Sequence, residues 1–371
     1  MAKITGIEVF PLLAKFKKPF RFSGITRVSS NNVILKINTD EGVYGIGEAC
    51  PVPGMSGETN TGICAVIKNF FEPLLVGQDP LNLAQLTTKV EKAVGQNVVA
   101  KAGINIALYD LAGKLLGVPC YQLIGGKYRD EIPINGSVGL GTAAEMLETC
   151  EEQMEVSGAK YLKLYAGKDP IEKDIPKLIE IIRGVGDRAK CFLDINQQWS
   201  VKTAIKAIRW LEEEVPLLYV EQPTQKWDYA GMRKVTEEVL TPIAADEAVF
   251  SLSDITQLGL NRACDIITIY ALKPGGLLRG HDAITLSTGF GMDCFIGSYL
   301  ELGVGTAAGI HLSAAIPTLR YPCYMFGPLK YQYDVLQEDL EIKNGVVKVP
   351  DKPGLGIELD MDKINLMRID K

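Results

Sequence analysis

The chain has 371 residues, 47% hydrophobic and 23% charged, a composition for a folded globular protein longer than one small domain and able to bury a large core. A net charge of −6 gives no electrostatic reason to expect nucleic acid or an anionic membrane as partner. Eight cysteines without CxxC spacing read as small core residues of a reduced protein, and two histidines, His281 and His311, are too few for a multi-histidine zinc site. With no secretory leader pattern and no apolar run of membrane-spanning length, a cytoplasmic protein is expected.

Residues 1–125 read as an α+β unit. Strand patterns at 4–13, 32–39 and 42–48 suggest an antiparallel meander. Helical periodicity follows at 61–75, 81–94 and most clearly 100–116, which stops at Gly117 with Pro119 just beyond. Two polar stretches, 15–30 and 50–60, read as loops long enough to serve as lids.

From Ile132 the rhythm becomes strand, helix, strand, helix. Strands are expected at 132–138, 161–165, 191–194, 218–221, 243–245, 266–269, 293–296 and near 319–326, which over residues 126–326 describes a closed parallel barrel. Residues 327–371 return to short, turn-rich pieces, with 340–349 expected to rejoin the N-terminal unit.

Three of the expected barrel strands end in acids: Asp194, Glu221 and Asp246, spaced 27 and then 25 residues apart, about one βα unit each. An acid after a strand is often an ordinary helix N-cap. Three in register at the C-terminal ends of successive parallel strands converge instead on the face where barrels place their chemistry. Buried together they repel one another and lose hydration, penalties a hard divalent cation removes; an all-oxygen donor set suits Mg²⁺.

These residues carry a resemblance. Residues 107–114 (Ala-Leu-Tyr-Asp-Leu-Ala-Gly-Lys) with Pro119 and Gly125-Gly126, then Asp194-Ile195-Asn196 with Trp199, Glu221-Gln222-Pro223 and Ala245-Asp246-Glu247, resemble the enolase superfamily in its muconate-lactonising branch. Gly275-Gly276, Gly297-Ser298, Glu301 and Phe326-Gly327-Pro328 resemble its later motifs, so the likeness spans nearly the whole chain. It implies an α/β fold: a modified (β/α)8 TIM-type barrel, an α+β capping domain over 1–125, and a C-terminal segment, 327–371, completing the cap. It also implies Mg²⁺ held by Asp194, Glu221 and Asp246, a small-molecule carboxylate substrate and a homo-oligomer. The implied chemistry is removal of the proton beside the substrate carboxylate, with the metal stabilising the enolate.

The branch usually carries two facing lysines, and the sequence departs from it at both. Lys163-Leu164-Tyr165 has tyrosine where the second lysine of Lys-x-Lys belongs, and Tyr270 takes the sixth-strand position ahead of Lys273 and Gly275-Gly276. Phenol and lysine share a reference pKa of about 10. Tyr165 and Tyr270 are therefore read as acid/base groups facing each other across the metal, which with Lys163 would favour phenolate, Lys163 also gripping the carboxylate. The competing reading makes the tyrosines packing residues. The expected reaction is racemisation, epimerisation or cycloisomerisation; the alternatives are a syn-dehydratase of a hydroxy acid and a catalytically silent carboxylate-binding barrel.

Other residues carry weaker signals. His311 reads as a packed helix histidine, and Glu301 as either support for the site or a helix N-terminal acid. Arg21, Arg27, Lys17 and Lys18 are available to read a distal anionic group, while Tyr321 and Tyr324 suggest an aromatic or apolar ligand end. The Asp-x-Asp that dipeptide epimerases of the branch carry near the last strand has no counterpart in residues 320–324.

Overall fold

The computed structural model describes residues 2–370. It opens with an antiparallel meander of β1 (Ile4–Phe22), β2 (Ile25–Thr39) and β3 (Tyr44–Ala49). Residues 15–30, expected as a loop, are instead the outer half of the β1–β2 hairpin, paired as far as Phe22 with Ile25 and turned at Ser23 and Gly24, with φ of 46° and 76°. The register slips between Lys15 and Phe20, and that irregularity breaks the two-residue alternation by which a strand is recognised. Residues 50–60 do hold a connection, with one short helix at Pro53–Ser56.

The helix Val98–Leu116 is buried on nearly every side. The Glu58 carboxylate accepts from its first free amides, Val99 N at 2.8 Å and Ala100 N at 3.0 Å, and Gly117 ends it in the left-handed conformation. It lies so close to β3 that a Cβ at Gly47 would collide with the Gly103 carbonyl.

Seven parallel strands follow in chain order: β5 (Gly136–Val138), β6 (Tyr161–Tyr165), β7 (Lys190–Asp194), β8 (Val220–Glu221), β9 (Ile243–Ala245), β10 (Ile266–Ile269) and β11 (Asp293–Ile296). Helices between and after them form the outer layer, each burying an apolar face; Ala143–Ser157 starts from a Thr142–Glu145 capping box. Within the barrel, alternation sets Phe192 and Tyr219 on the same faces as Asp194 and Glu221, and their rings stack at 4.3 Å as an apolar floor.

Three further expectations are corrected. No strand forms near 319–326. The segment closes the barrel through isolated bridges, Cys294 to Leu319 and Ile134 to Cys323, with Tyr324 N donating to Ile296 O at 2.8 Å. The expected strand 132–138 splits, because β4 (Glu131–Pro133) pairs with β13 (Val346–Lys348) while β5 pairs with β6. Consequently β12 (Ile342–Lys343) and β13 join β4 in a separate sheet rather than the N-terminal meander. Beyond them the chain does return to the N-terminal unit: Leu355 N donates to Asp110 at 2.7 Å and Ile369 N to Pro11 O at 3.0 Å. Among the described residues no helix is long and apolar enough to cross a membrane.

Candidate active site

Asp194 ends β7, Glu221 ends β8, and Asp246 follows β9 by one residue. All three are buried, and one oxygen from each lies within 4.8 Å of the others. The parallel register sets Asp194 beside Glu221, so the ladder itself aligns these two acids. Gln222, fully buried at a positive φ of 37°, accepts from Asp246 N at 2.9 Å and Ala248 N at 3.2 Å. It thereby fixes the turn that carries the third acid.

Two lysines meet the cluster. Lys163 Nζ lies 2.8 Å from both Asp194 Oδ2 and Glu221 Oε2. Lys273 donates to the Asp246 carbonyl at 2.7 Å and ion-pairs with its carboxylate. Burial works against the charge on Lys163, but Asp194 and Glu221 outweigh it and hold its pKa well above the usual value. Burial pushes the pKa of Asp194 up and that of Glu221 up strongly, with Lys163 opposing and neighbouring carboxylates adding to the rise. Glu247 is driven to about 8 by burial and then by Asp246 and Asp194. Only Asn196, donating at 3.3 Å, bonds its buried side chain.

The tyrosines enter from opposite walls, Tyr165 at the end of β6 and Tyr270 just after β10, with the three acid-bearing strands between them. Tyr270 Oη donates to Asp246 Oδ2 at 2.8 Å. A Cβ at Gly297 would collide with the Tyr270 ring, so that glycine makes room for the phenol. The Tyr165 hydroxyl bonds to nothing among the described residues; its ring packs edge-on against Phe20 at 5.4 Å and against Phe22 at 5.8 Å. Burial drives both phenols well above their ordinary pKa, outweighing Lys163 at Tyr165 and reinforced by Asp246 at Tyr270. The expected phenolate belongs to the Mg²⁺-bound site, where the cation's charge opposes that rise.

One small cavity, about 40 Å³, is bounded by Lys163, Tyr165, Asp194, Asp246, Tyr270 and Tyr324 below and by Phe20, Phe22, Arg27, Val52 and Met55 of the N-terminal unit above. The aromatic rings of Phe20 and Phe22 narrow the space above the acids. A larger groove of about 910 Å³, near Tyr44 and Lys114, lies away from these residues. Tyr321 is not at the cavity: it packs edge-on against Tyr219 at 5.4 Å, which removes it from the expected ligand end. Glu301 accepts from Ser298 Oγ and from Tyr299 N at 3.0 Å, and His311 is a buried helix residue. Sequence reasoning missed Gln222 as a brace, Thr268, which donates to Glu221 at 3.2 Å, and the unpaired Tyr299 hydroxyl in the cavity wall. Thr268 alone had a readable signal, sharing the strand face of Tyr270.

Three convergent carboxylates with oxygen donors only, and two lysines against four buried acids when Glu247 is counted, fit a hard divalent cation. Residues 4–125 match the family described as mandelate racemase / muconate lactonizing enzyme, N-terminal domain, and residues 145–363 the enolase C-terminal domain-like family. The chain belongs to the enolase superfamily, in the muconate-lactonising branch, and is an enzyme of that class. It is 34% identical to a chloromuconate cycloisomerase of Cupriavidus necator over 98% of each chain, and 33% identical to an L-Ala-D/L-Glu epimerase of Bacillus subtilis over 96% of each. Its fold superposes on a muconate lactonizing enzyme from Pseudomonas fluorescens complexed with muconolactone, with a TM-score of 0.96 and 28% identity over 99% of this chain and 100% of that one.

Proposed function

We propose that the protein is a Mg²⁺-dependent isomerase of a small carboxylate, acting at the carbon next to that group by racemisation, epimerisation or cycloisomerisation. The observation that carries this reading is the buried Asp194–Glu221–Asp246 cluster with a phenol on each side of it. Asp194, Glu221 and Asp246 hold the metal, and its bound charge favours negative charge developing on the substrate carboxylate. Lys163 holds that carboxylate electrostatically. Tyr270 keeps a proton on Oη, aimed at Asp246. Tyr165, whose hydroxyl has no partner, takes the proton from the reacting carbon as the phenolate that a bound Mg²⁺ and Lys163 would favour, and Tyr270 stabilises the enolate or returns a proton at the opposite face. Phe20 and Phe22 exclude water above it.

A second reading, a silent carboxylate-binding barrel, is favoured by one observation: both lysines are engaged in ion pairs with the buried acids. Incubating the Mg²⁺-loaded protein with a panel of carboxylates in D₂O separates the possibilities. Deuterium at the α-carbon, or a lactone product, supports the isomerase. A keto acid identifies a dehydratase. Thermal stabilisation by a carboxylate that never exchanges identifies the silent barrel.

A further inference from the structure

Lys330 ends the short helix Gly327–Lys330, which follows the segment that closes the barrel. Its side chain is half-buried, with Nζ 3.7 Å from the centroid of the Phe20 ring and 5.8 Å from that of Phe326. Among the described residues, every other lysine that lacks both a hydrogen-bond acceptor and a carboxylate partner is exposed. Lys101, also withdrawn from water, donates to the Glu91 and Val94 carbonyls at 3.1 and 2.6 Å. Lys163 and Lys273 are held by the acids of the cluster. An aromatic face attracts a cation but offers its N–H groups no lone pair. A charge kept from water on such terms is costly.

The second observation is a way in. Lys330 and Phe326 line a groove of about 440 Å³ that lies outside the metal-site cavity, with Lys17, Lys18 and Arg21 of β1 among its other walls. The acids across the groove belong to the helix Ala143–Ser157. Glu152 is taken by Lys18 at 2.8 Å, Glu145 accepts from Thr142 N in the capping box, and Glu148 forms no bond to Lys330. Burial outweighs the pull of Glu152 and lowers the pKa of Lys330 to about 7. A desolvated lysine in an apolar socket is the form of this side chain that acts as a nucleophile.

We propose that the ε-amine of Lys330 is an acylation site, taking a small acyl group from an activated donor, an acyl phosphate or an acyl thioester. Nζ attacks the acyl carbonyl carbon. The new C–N bond forms as the C–O bond to phosphate, or the C–S bond to the thiol, breaks. The leaving group departs with the electron pair, and the surplus proton on nitrogen passes to solvent. The product replaces an unpaired charge with a neutral amide against two rings, relieving what the free lysine costs. Phe20 also packs edge-on against Tyr165 and lines the metal-site cavity, so the modification adjoins the cover of that site.

The test incubates the full chain in Mg²⁺-containing buffer with acetyl phosphate in one arm and acetyl-coenzyme A in the other. Acetylation of each lysine is followed by peptide mass spectrometry from pH 7 to 9. Lys17 and Lys18, exposed in the same groove, serve as internal standards. An ordinary lysine is about 0.1% free amine at pH 7.5, whereas Lys330 is mostly free there. With at least one donor, Lys330 is expected to react roughly 10-fold or more faster than either standard at pH 7.5. Its rate should level off above pH 8 while theirs keep rising about 10-fold per pH unit. Lys330→Arg should lose this fast-reacting site and leave the standards unchanged. The donor that reacts names the source of the acyl group. If neither donor modifies Lys330, if it reacts no faster than Lys17 and Lys18, or if its rate climbs with pH as theirs do, the proposal is overturned.

Discussion

The two walls of the site look alike in sequence, each offering a lysine and a tyrosine, yet the structure uses them differently. On the β6 wall Lys163 spans two acids and leaves the Tyr165 hydroxyl unbonded beneath Phe20 and Phe22. On the β10 wall both Tyr270 and Lys273 converge on one acid, Asp246. A phenol that already donates to a metal-ligand carboxylate is suited to orienting that ligand, whereas a phenol without a partner has its bonding capacity left for the substrate. Residue type alone therefore does not assign a role; the partner of each oxygen does.

The most drastic break to this comparison is to remove its centre. Asp194→Asn, Glu221→Gln and Asp246→Asn should each abolish Mg²⁺ binding by calorimetry while circular dichroism stays native, and three variants that bound metal normally would end the site assignment. Next come the phenols. Tyr165→Phe and Tyr270→Phe should each lose roughly 10²–10⁴-fold in turnover, about 3–5 kcal/mol of barrier. The comparison adds a difference between them: Tyr270→Phe should also weaken Mg²⁺ by about 10–100-fold through Asp246, and Tyr165→Phe should leave metal affinity alone. Equal metal affinities in the two variants would erase the distinction drawn between the walls. Lys163→Met should raise KM for the carboxylate as well as slow turnover, which separates a gripping role from a purely chemical one.

A separate effect lies outside the cavity and separates stability from chemistry. His311 accepts from Tyr121 N at its Nδ1 and bonds the Leu355 carbonyl through Nε2, so the neutral ring with the proton on Nε2 is the bonded form. Burial lowers its pKa from 6.5 to about 4. Its neutral form thus contributes stability fully present above pH 6.5 and lost as pH falls through 4, about 3 kcal/mol in all. Urea melts at pH 4, 5 and 7 should show that loss in wild type and a flatter profile in His311→Gln. The same slope in both proteins would exclude His311 as its source.

Much of the architecture was legible because buried parallel strands write themselves as short apolar runs, and the three strand-end acids could be located to the residue on that basis. Two kinds of information were not. The β1–β2 hairpin was hidden because its register slips where Lys15, Lys17 and Lys18 interrupt the pattern. The closing segment near Leu319 was over-read as a strand because an apolar run says nothing about whether a full ladder forms. Within the site, Lys163, Tyr165 and Tyr270 could be singled out from register and resemblance, and their roles stand as proposals. The side-chain partners that distinguish the walls, and the brace supplied by Gln222, depend on distances between strands that no local pattern encodes.

The closing segment has one more consequence. Every other strand junction of the barrel is a ladder, but residues 319–324 are held to their neighbours by single bridges and a few amide bonds. Such a seam is a hinge line in an otherwise hooped wall, and its amides should exchange with solvent sooner than those of β6 or β7. It also carries Tyr324 into the cavity. A mutation here shifts a wall residue without tearing a ladder, so the seam is the part of the barrel where ligand preference can drift through evolution while the metal-binding arc keeps its geometry.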